Sequence, residues 1–499
     1  MEYVIGIDLG TSSVKVLLVN REGEVAFSQS ETYPLIQTKP GYSEQDPEEW
    51  VQKTLAALKA VVLESGVDAG KIKGISFSGQ MHGLVLLDAD MKVVRPAILW
   101  NDTRTIAQCK KIKKQCPQLY RITKNEPMEG FTLPKLLWVK ENEAELFKKS
   151  YVFLLPKDYV RFRLSGDLHS EYSDAAGTLL LDIQQKVWSR EICKTFDIPI
   201  CLCPDLTESH AKTGTIRPEV AAVTGLSETT QVFAGGADNA CGAIGAGILS
   251  DKSAMCSIGT SGVFLNYKKN VEGNLSSKLH LFSHAQQDAF YAMGVTLSAG
   301  HSLDWFKAEF LRGWNFDEMV NEAAKSQLGS NGLLFTPYLS GERTPYSDAK
   351  IRGTFTGIDT QHRTKDFIRS ILEGITFSIN ESLELFKAGG TKPSSIVSIG
   401  GGAKSDFWLQ MQADIFDTTI CSLENEQGPG MGAAMLAAVG LGWYPSLKEC
   451  AKHFVTVKKA VHPIEENAKR YKELFTLYKQ IYVNTKSLHE KLYKLRNQQ

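Results

Sequence analysis

Two carboxylates sit where chemistry is possible. Asp8 ends the apolar run Val4-Ile5-Gly6-Ile7, just before Gly10-Thr11-Ser12-Ser13, and Asp238 follows Gly235-Gly236-Ala237 and precedes Asn239. Each could be a turn or cap residue. An acid in a strand of Val and Ile needs a partner, however, because a charge withdrawn from water must be paired or bind a cation. Mg²⁺ carried by a nucleotide is one such partner. The small residues before Asp238 let a substrate come close.

The turn after Asp8 has a second copy. Ile7-Asp8-Leu9-Gly10-Thr11-Ser12-Ser13-Val14 is echoed by Ser257-Ile258-Gly259-Thr260-Ser261-Gly262-Val263, an internal repeat at the opening of each half. A Gly-Thr-Ser turn suits phosphate, since Gly lets the backbone approach while amides and hydroxyls donate to anionic oxygens. One copy can occur in any hairpin; two copies at matching places point to a nucleotide. A third glycine turn, Ile399-Gly400-Gly401-Gly402-Ala403, leads into a helical pattern over Ser405–Phe416, a strand, turn and helix N-terminus that can pack against a nucleotide. No Walker or protein-kinase signature is present.

The elements that position these residues alternate along the chain. Val4–Asp8 and Val14–Val19 read as a hairpin, Asp46–Ala60 as a helix with Asp46 as cap and Pro47 first, and Ile72–Phe77 as a strand. Ser78-Gly79-Gln80-Met81-His82-Gly83 then separates that strand from the apolar Leu84–Leu87, as a loop reaching a cleft would. Helical patterns follow over Pro134–Glu143 and Lys157–Leu164, and in the second half over Phe367–Phe386 and Met431–Val439. The small-residue stretch up to Gly247 reads as a closely packed helix. The fold expected is α/β, with related domains over residues 1–243 and 244–499 and a cleft between them.

Composition agrees. A chain of 499 residues exceeds a single core, and 43% hydrophobic with 22% charged residues is ordinary for a globular protein. Lys plus Arg and Asp plus Glu both number 56, so no global field favours nucleic acid or an anionic membrane. The mixed charges of Lys458–Arg496 read as the solvated face of an amphipathic helix. Nine Cys, an odd number without paired C-x-x-C spacing, suit reduced thiols in the cytoplasm, and Cys201 with Cys203 lack a second pair for a metal. The N-terminus has no signal-peptide pattern and no window is apolar enough to span a bilayer, so a soluble protein is expected.

Taken in order, these motifs resemble the FGGY family of carbohydrate kinases, within the group sharing the actin-like ATPase (ribonuclease H-like) fold. The likeness spans nearly the whole chain. Gly130-Phe131-Thr132-Leu133-Pro134-Lys135-Leu136-Leu137-Trp138 is similar to one family signature, and Gly353-Thr354-Phe355-Thr356-Gly357-Ile358 with Leu372-Glu373-Gly374 to the other. Ser78–Gly83, Trp100-Asn101-Asp102-Thr103-Arg104 and Pro337–Pro345 resemble the ketose-phosphorylating members. Glycerol-specific members carry Arg-Glu where this chain has Met81-His82.

The resemblance implies transfer of phosphate from ATP to a ketose, foremost D-xylulose, with L-xylulose, ribulose, gluconate and glycerol as alternatives. It implies Asp238 as the base and Met81, His82, Trp100, Asp238 and Asn239 as sugar contacts. For ATP it implies Thr11, Ser12, Gly259, Thr260, Gly300, Gly401, Gly402 and Asp406, with Asp8 and Asp238 near Mg²⁺. Relatives often carry Asn near Asp406. Arg104 and Glu342-Arg343 have a rival reading as internal ion pairs, as Trp100-Asn101-Asp102 does as an Asx turn. The partners implied are sugar and ATP, without nucleic acid or membrane, and a homodimer is a common assembly for such enzymes. A chaperone or filament ATPase would use the same fold but needs an added domain or contact surface, and a catalytically dead sensor would not need Asp238.

Overall fold

The N-terminal apolar run forms β1 (Tyr3–Leu9), which folds back through Gly10-Thr11-Ser12 into antiparallel β2 (Ser13–Asn20). In the computed structural model, which describes residues 1–272 and 275–496, β1 lies inside a mixed sheet. Next to β2 runs β3 (Val25–Thr32), whose side chains alternate between partly buried and exposed. Its polar Ser28–Thr32 half hides it from an apolar criterion, because an edge strand needs only one covered face. Helix α1 (Pro47–Glu64) starts at Asp46, whose carboxylate accepts the Glu48 N–H at 3.0 Å, and buries Trp50, Val51, Leu58 and Val61.

The chain then enters β4 (Ile72–Gly79), parallel to β1. Beyond it, Val85–Leu87 leaves the main sheet and pairs with Val152–Leu154, so residues 80–83 are carried out over the sheet's end. Helices α2 (Thr132–Asn142) and α3 (Pro156–Ser165) follow. Strands β5 (Lys212–Thr215) and β6 (Gln231–Phe233) complete the order β5-β6-β4-β1-β2-β3, and α4 (Asp238–Gly245) leaves it.

The second half repeats this wiring. β7 (Ser253–Ile258) turns through Gly259-Thr260-Ser261 into antiparallel β8 (Gly262–Lys268). β9 (His280–Ser283) and β10 (Phe290–Thr296) extend the meander, with β10 against β8 as β3 lies against β2. After α5 (Gly300–Phe310), α6 (Thr364–Ala388) crosses to β11 (Ser395–Gly400), parallel to β7, and α7 (Asp406–Phe416) crosses to β12 (Thr419–Leu423). The echo of two turns is thus an echo of two folds, the α/β pair expected.

Helices α4 and α8 (Pro429–Gly440) pack against each other, and α8 lies on β1 and β4 of the first half. Their Ala and Gly content is a matter of distance. A Cβ on Gly6 would stand 2.0 Å from the Gly430 carbonyl oxygen, and one on Gly432 1.9 Å from that of Cys241. Ile244 sits on the last turn of α4.

At the C-terminus the expected helix begins later than Lys458. Val457–Val461 is instead a strand, β13, paired with β12, and α9 (Glu465–Arg496) follows His462-Pro463. Val457-Lys458-Lys459-Ala460-Val461 is short and Lys-bearing, the usual protection of an edge. Along α9 only Tyr471, Phe475, Tyr478, Ile481 and His489 are buried, so its Lys and Glu are solvated as expected. Residues 273–274 and 497–499 of the expected second domain lie outside the described residues. No helix among the described residues is long and apolar enough to cross a membrane.

Candidate active site

Parallel register brings the carboxylates together. Asp8 on β1 lies opposite Ser78 on β4, and Gly236, on the far side of β4, also pairs with Ser78. Two residues on, Asp238 opens α4, with one carboxylate oxygen accepting the Asn239 N–H at 2.6 Å and its side-chain amide at 2.9 Å. Burial, then the charge of Asp8, raise the Asp238 pKa to about 7, against the Asn239 hydrogen bonds. Burial raises Asp8 to about 6, opposed by the Ser78 hydroxyl and by Lys15, its cross-strand neighbour on β2. Two desolvated like charges at adjoining strand ends suit a cation.

No cluster of three or more His, Cys, Asp or Glu among the described residues could hold a metal alone. Mg²⁺ does not require one, since it takes one or two carboxylates and fills its shell with phosphate oxygens and water. The donor pair Asp8 and Asp238 therefore fits Mg²⁺ delivered on a nucleotide. The backbone before Asp238 is fixed by a buried chain that carries no sequence motif. The Ala237 N–H donates to Ser173 Oγ at 2.9 Å, Ser173 donates to Glu171 at 2.8 Å, and Glu171 lies 3.4 Å from Lys157.

Beside Asp238 is a cavity of about 170 Å³. Met81, His82, Trp100, Asp238 and Asn239, all expected at the sugar, line it together, while His280, Phe282 and Arg343 enter from the second half. His82 is held in the left-handed region, with φ 69°. Its carbonyl accepts from Thr132 Oγ1 at 3.0 Å and Lys135 Nζ at 2.8 Å, and Lys135 also donates to the Gly130 carbonyl at 2.7 Å. The stretch Gly130–Lys135 thus acts as a clamp on His82. Burial, then the Lys135 charge, lower the His82 pKa to about 3, so the ring is neutral. Nδ1 lies 2.6 Å from the Gly177 carbonyl, which can only accept, so Nδ1 carries the proton and Nε2 is an acceptor.

Trp100 joins this cavity to the first turn. Its indole donates to Thr11 Oγ1 at 2.9 Å, and Thr11 donates to Gln80 at 3.3 Å. Gln45, ordered by the Trp50 indole at 3.0 Å, donates to the Thr11 carbonyl at 2.8 Å. Gln80 lies within the Ser78–Gly83 motif, whereas Gln45 belongs to none. Ser12 is exposed on the same turn.

The second turn joins the other glycines. Gly259 and Thr260 are exposed, and their carbonyls accept the Gly300 and His301 N–H groups at 2.8 and 3.1 Å. Gly402 packs on Ile258, the last residue of β7, where a Cβ would come within 2.6 Å. Gly401 borders an open pocket of about 1140 Å³ that also takes in Asp406. There Asp406 is exposed and paired with Lys459 at 2.6 Å, a surface pair open to solvent.

Two rival readings divide. Arg104 is an internal ion pair, 2.7 Å from Asp102 and 2.8 Å from Glu44, stacked 3.7 Å over Tyr42. Asp102 is therefore structural although Trp100, two residues away, lines the cavity. Glu342 accepts from the Leu297 and Arg343 N–H groups at 3.1 and 2.7 Å and from Ser378 at 3.0 Å, leaving the Arg343 guanidinium to the cavity.

Comparison with known proteins adds an independent line. Residues 3–245 match the N-terminal domain of the FGGY family of carbohydrate kinases and residues 254–441 its C-terminal domain. A xylulose kinase of Bacillus subtilis (strain 168) is 59% identical over 493 residues, 99% of each chain. A ligand-bound xylulose kinase structure from Lactobacillus acidophilus superposes with a TM-score of 0.94 at 28% identity, covering 99% of this chain and 100% of that one. A structure described as a xyloylose kinase from Brucella ovis gives 0.92 at 34% identity, covering 98% and 100%.

Proposed function

The chain belongs to the FGGY family of carbohydrate kinases, and we propose that it transfers phosphate from ATP to D-xylulose, giving D-xylulose 5-phosphate. One observation carries this reading: a carboxylate at a helix start, with its pKa near neutrality, lines a small cavity that Ser261 of the second turn also lines and whose Trp100 is hydrogen-bonded to Thr11 of the first. The full-length likeness to xylulose kinases supports the choice of sugar.

Asp238, ionised, accepts the proton of the attacking hydroxyl, and Asn239 fixes the carboxylate and offers a side-chain amide to the sugar. His82 presents Nε2 as an acceptor for a second hydroxyl, while Met81 and Trp100 pack on the carbon chain. Thr11, Ser12, Thr260, Gly401 and Gly402 receive the nucleotide phosphates through amides and hydroxyls, Gly259 and Gly300, whose amides bond to the Ser261 and Gly259 carbonyls, leave room for the nucleotide to approach, and Asp406 borders the pocket beside Gly401. Asp8, with Asp238, would hold Mg²⁺. When bound, that ion neutralises charge on the transferring phosphate. Residues 1–243 form mainly the sugar-binding domain and residues 244–499 mainly the nucleotide-binding one. We place the enzyme in the cytoplasm, as a homodimer, without nucleic-acid or membrane partners.

The test is ADP release against a panel of D-xylulose, L-xylulose, ribulose, gluconate and glycerol at fixed ATP. The expected outcome is the highest kcat/KM with D-xylulose. Faster turnover of glycerol or gluconate would remove the ketose from the proposal.

A further inference from the structure

We infer that Arg343, contributed by the second half of the chain, is a specificity-determining residue that donates hydrogen bonds to the carbonyl oxygen of the bound ketose. This rests on the proposed ketose kinase activity and goes beyond it, since the expected sugar contacts all come from residues 81–239.

Arg343 lines the cavity that holds Met81, His82 and Asp238. Among the described residues its guanidinium has no hydrogen-bond or ion-pair partner. Glu342, its neighbour, is occupied by the Leu297 and Arg343 N–H groups and the Ser378 hydroxyl. Around Arg343 the second half offers apolar Met293, Val295 and Leu297. The other basic groups of the cavity, His82 and His280, are neutral, each held down to about 3 chiefly by burial. Glu342 and Glu129 act on the partly buried guanidinium by charge alone, without a hydrogen bond, so its donors are left for a ligand that brings acceptors.

Guanidinium has donors and no acceptor. A ketone oxygen is acceptor-only, so it is matched without any hydroxyl proton being misplaced. Asp238 needs the reverse, a donor, at the hydroxyl it deprotonates. The cavity thus has an acceptor in the first half and a donor in the second, and a ketose with a terminal hydroxyl and a carbonyl has the complementary pair. A sugar bridging the two would also draw the halves together.

The test uses the full chain with Arg343→Met, which keeps an apolar stem, and Arg343→Lys, which keeps charge without the fork. Measured are KM and kcat for D-xylulose, the inhibition constant of the corresponding pentitol, KM for ATP, and the melting shift produced by D-xylulose without nucleotide. Expected for Arg343→Met is a rise in sugar KM of about ten- to a hundred-fold, the effect of losing a charged hydrogen bond. Pentitol binding should change less, KM for ATP should stay constant and the sugar-induced melting shift should vanish. Arg343→Lys should fall between. If wild-type protein does not turn over D-xylulose, the kinase reading itself fails. If it does, and Arg343→Met keeps its sugar KM within about twofold, or loses kcat alone, Arg343 does not contact the ketose. An equal loss in Glu129→Gln would also overturn the inference, since Glu129 is the carboxylate across the cleft that acts on Arg343.

Discussion

At the scale of single residues, the roles proposed for Asp8 and Asp238 predict both a rate effect and a pH dependence. Asp238→Asn keeps the shape and the acceptor for the Asn239 N–H but cannot take a proton, so kcat should fall about 100-fold to 10,000-fold while calorimetric ATP binding persists. Retention of more than a tenth of normal turnover would assign the base elsewhere. Because the base must be ionised, and burial with the Asp8 charge places Asp238 at about 7, kcat/KM for the sugar should climb as pH rises through about 7. Asp8→Asn removes the like charge and should move that limb to lower pH, with a defect that depends on Mg²⁺ concentration. The stability sign is opposite. A carboxylate whose folded pKa is raised binds its proton more tightly when folded, so its contribution is present in acid and lost as pH passes about 7. Melting curves should therefore find Asp238→Asn no less stable than wild type at pH 8. In the cavity proposed for the sugar, Met81→Arg with His82→Glu puts two charges where neutral side chains now stand, and should raise the sugar KM sharply.

At the scale of elements, the site depends on two devices. One is the clamp of α2 on His82, through Thr132 and Lys135. Lys135→Met would leave the His82 carbonyl and its left-handed backbone with less support, and sugar affinity should fall with ATP affinity intact. The other is the contact of α4 with α8. Gly432→Ala would place a methyl 1.9 Å from the Cys241 carbonyl oxygen, and overpacking of this kind costs about 1–3 kcal/mol or more. Lower denaturation midpoints are expected. Since Asp238 opens α4, kcat should drop with stability; an unchanged midpoint would mean the helices can separate at no cost.

At the scale of the molecule, the cavity draws its walls from both halves, and phosphoryl transfer needs in-line geometry with water excluded. Sugar together with a non-hydrolysable nucleotide should therefore reduce the radius of gyration measured by X-ray scattering, with a smaller effect from either alone. Identical curves in all states would show the cleft already closed. Arg343→Met should weaken the response to sugar and spare that to nucleotide.

Short-range patterns in the chain were enough to determine the α/β class, the duplicated strand–turn–strand openings and the start of α1 at Asp46-Pro47, because caps, turns and apolar periods are local. They also marked the residues that meet at the cavity, since Ser78–Gly83 and Gly235–Asn239 are runs too polar or too small for a core. Tertiary structure decided what those residues face. Asp102 and Trp100, two positions apart, part company: one is buried against Arg104 and the other lines the cleft. Lys458 and Lys459 belong to an edge strand because β12 lies beside them to pair with. Ser173 and Gln45 carry no motif at all, and Arg343 lies in Pro337–Pro345 with nothing there to tell a cavity residue from an internal ion pair. Their roles come from hydrogen bonds and a cavity wall that exist only once distant segments are packed together, and nothing in the spacing of a linear chain encodes which polar side chain will be left without a partner.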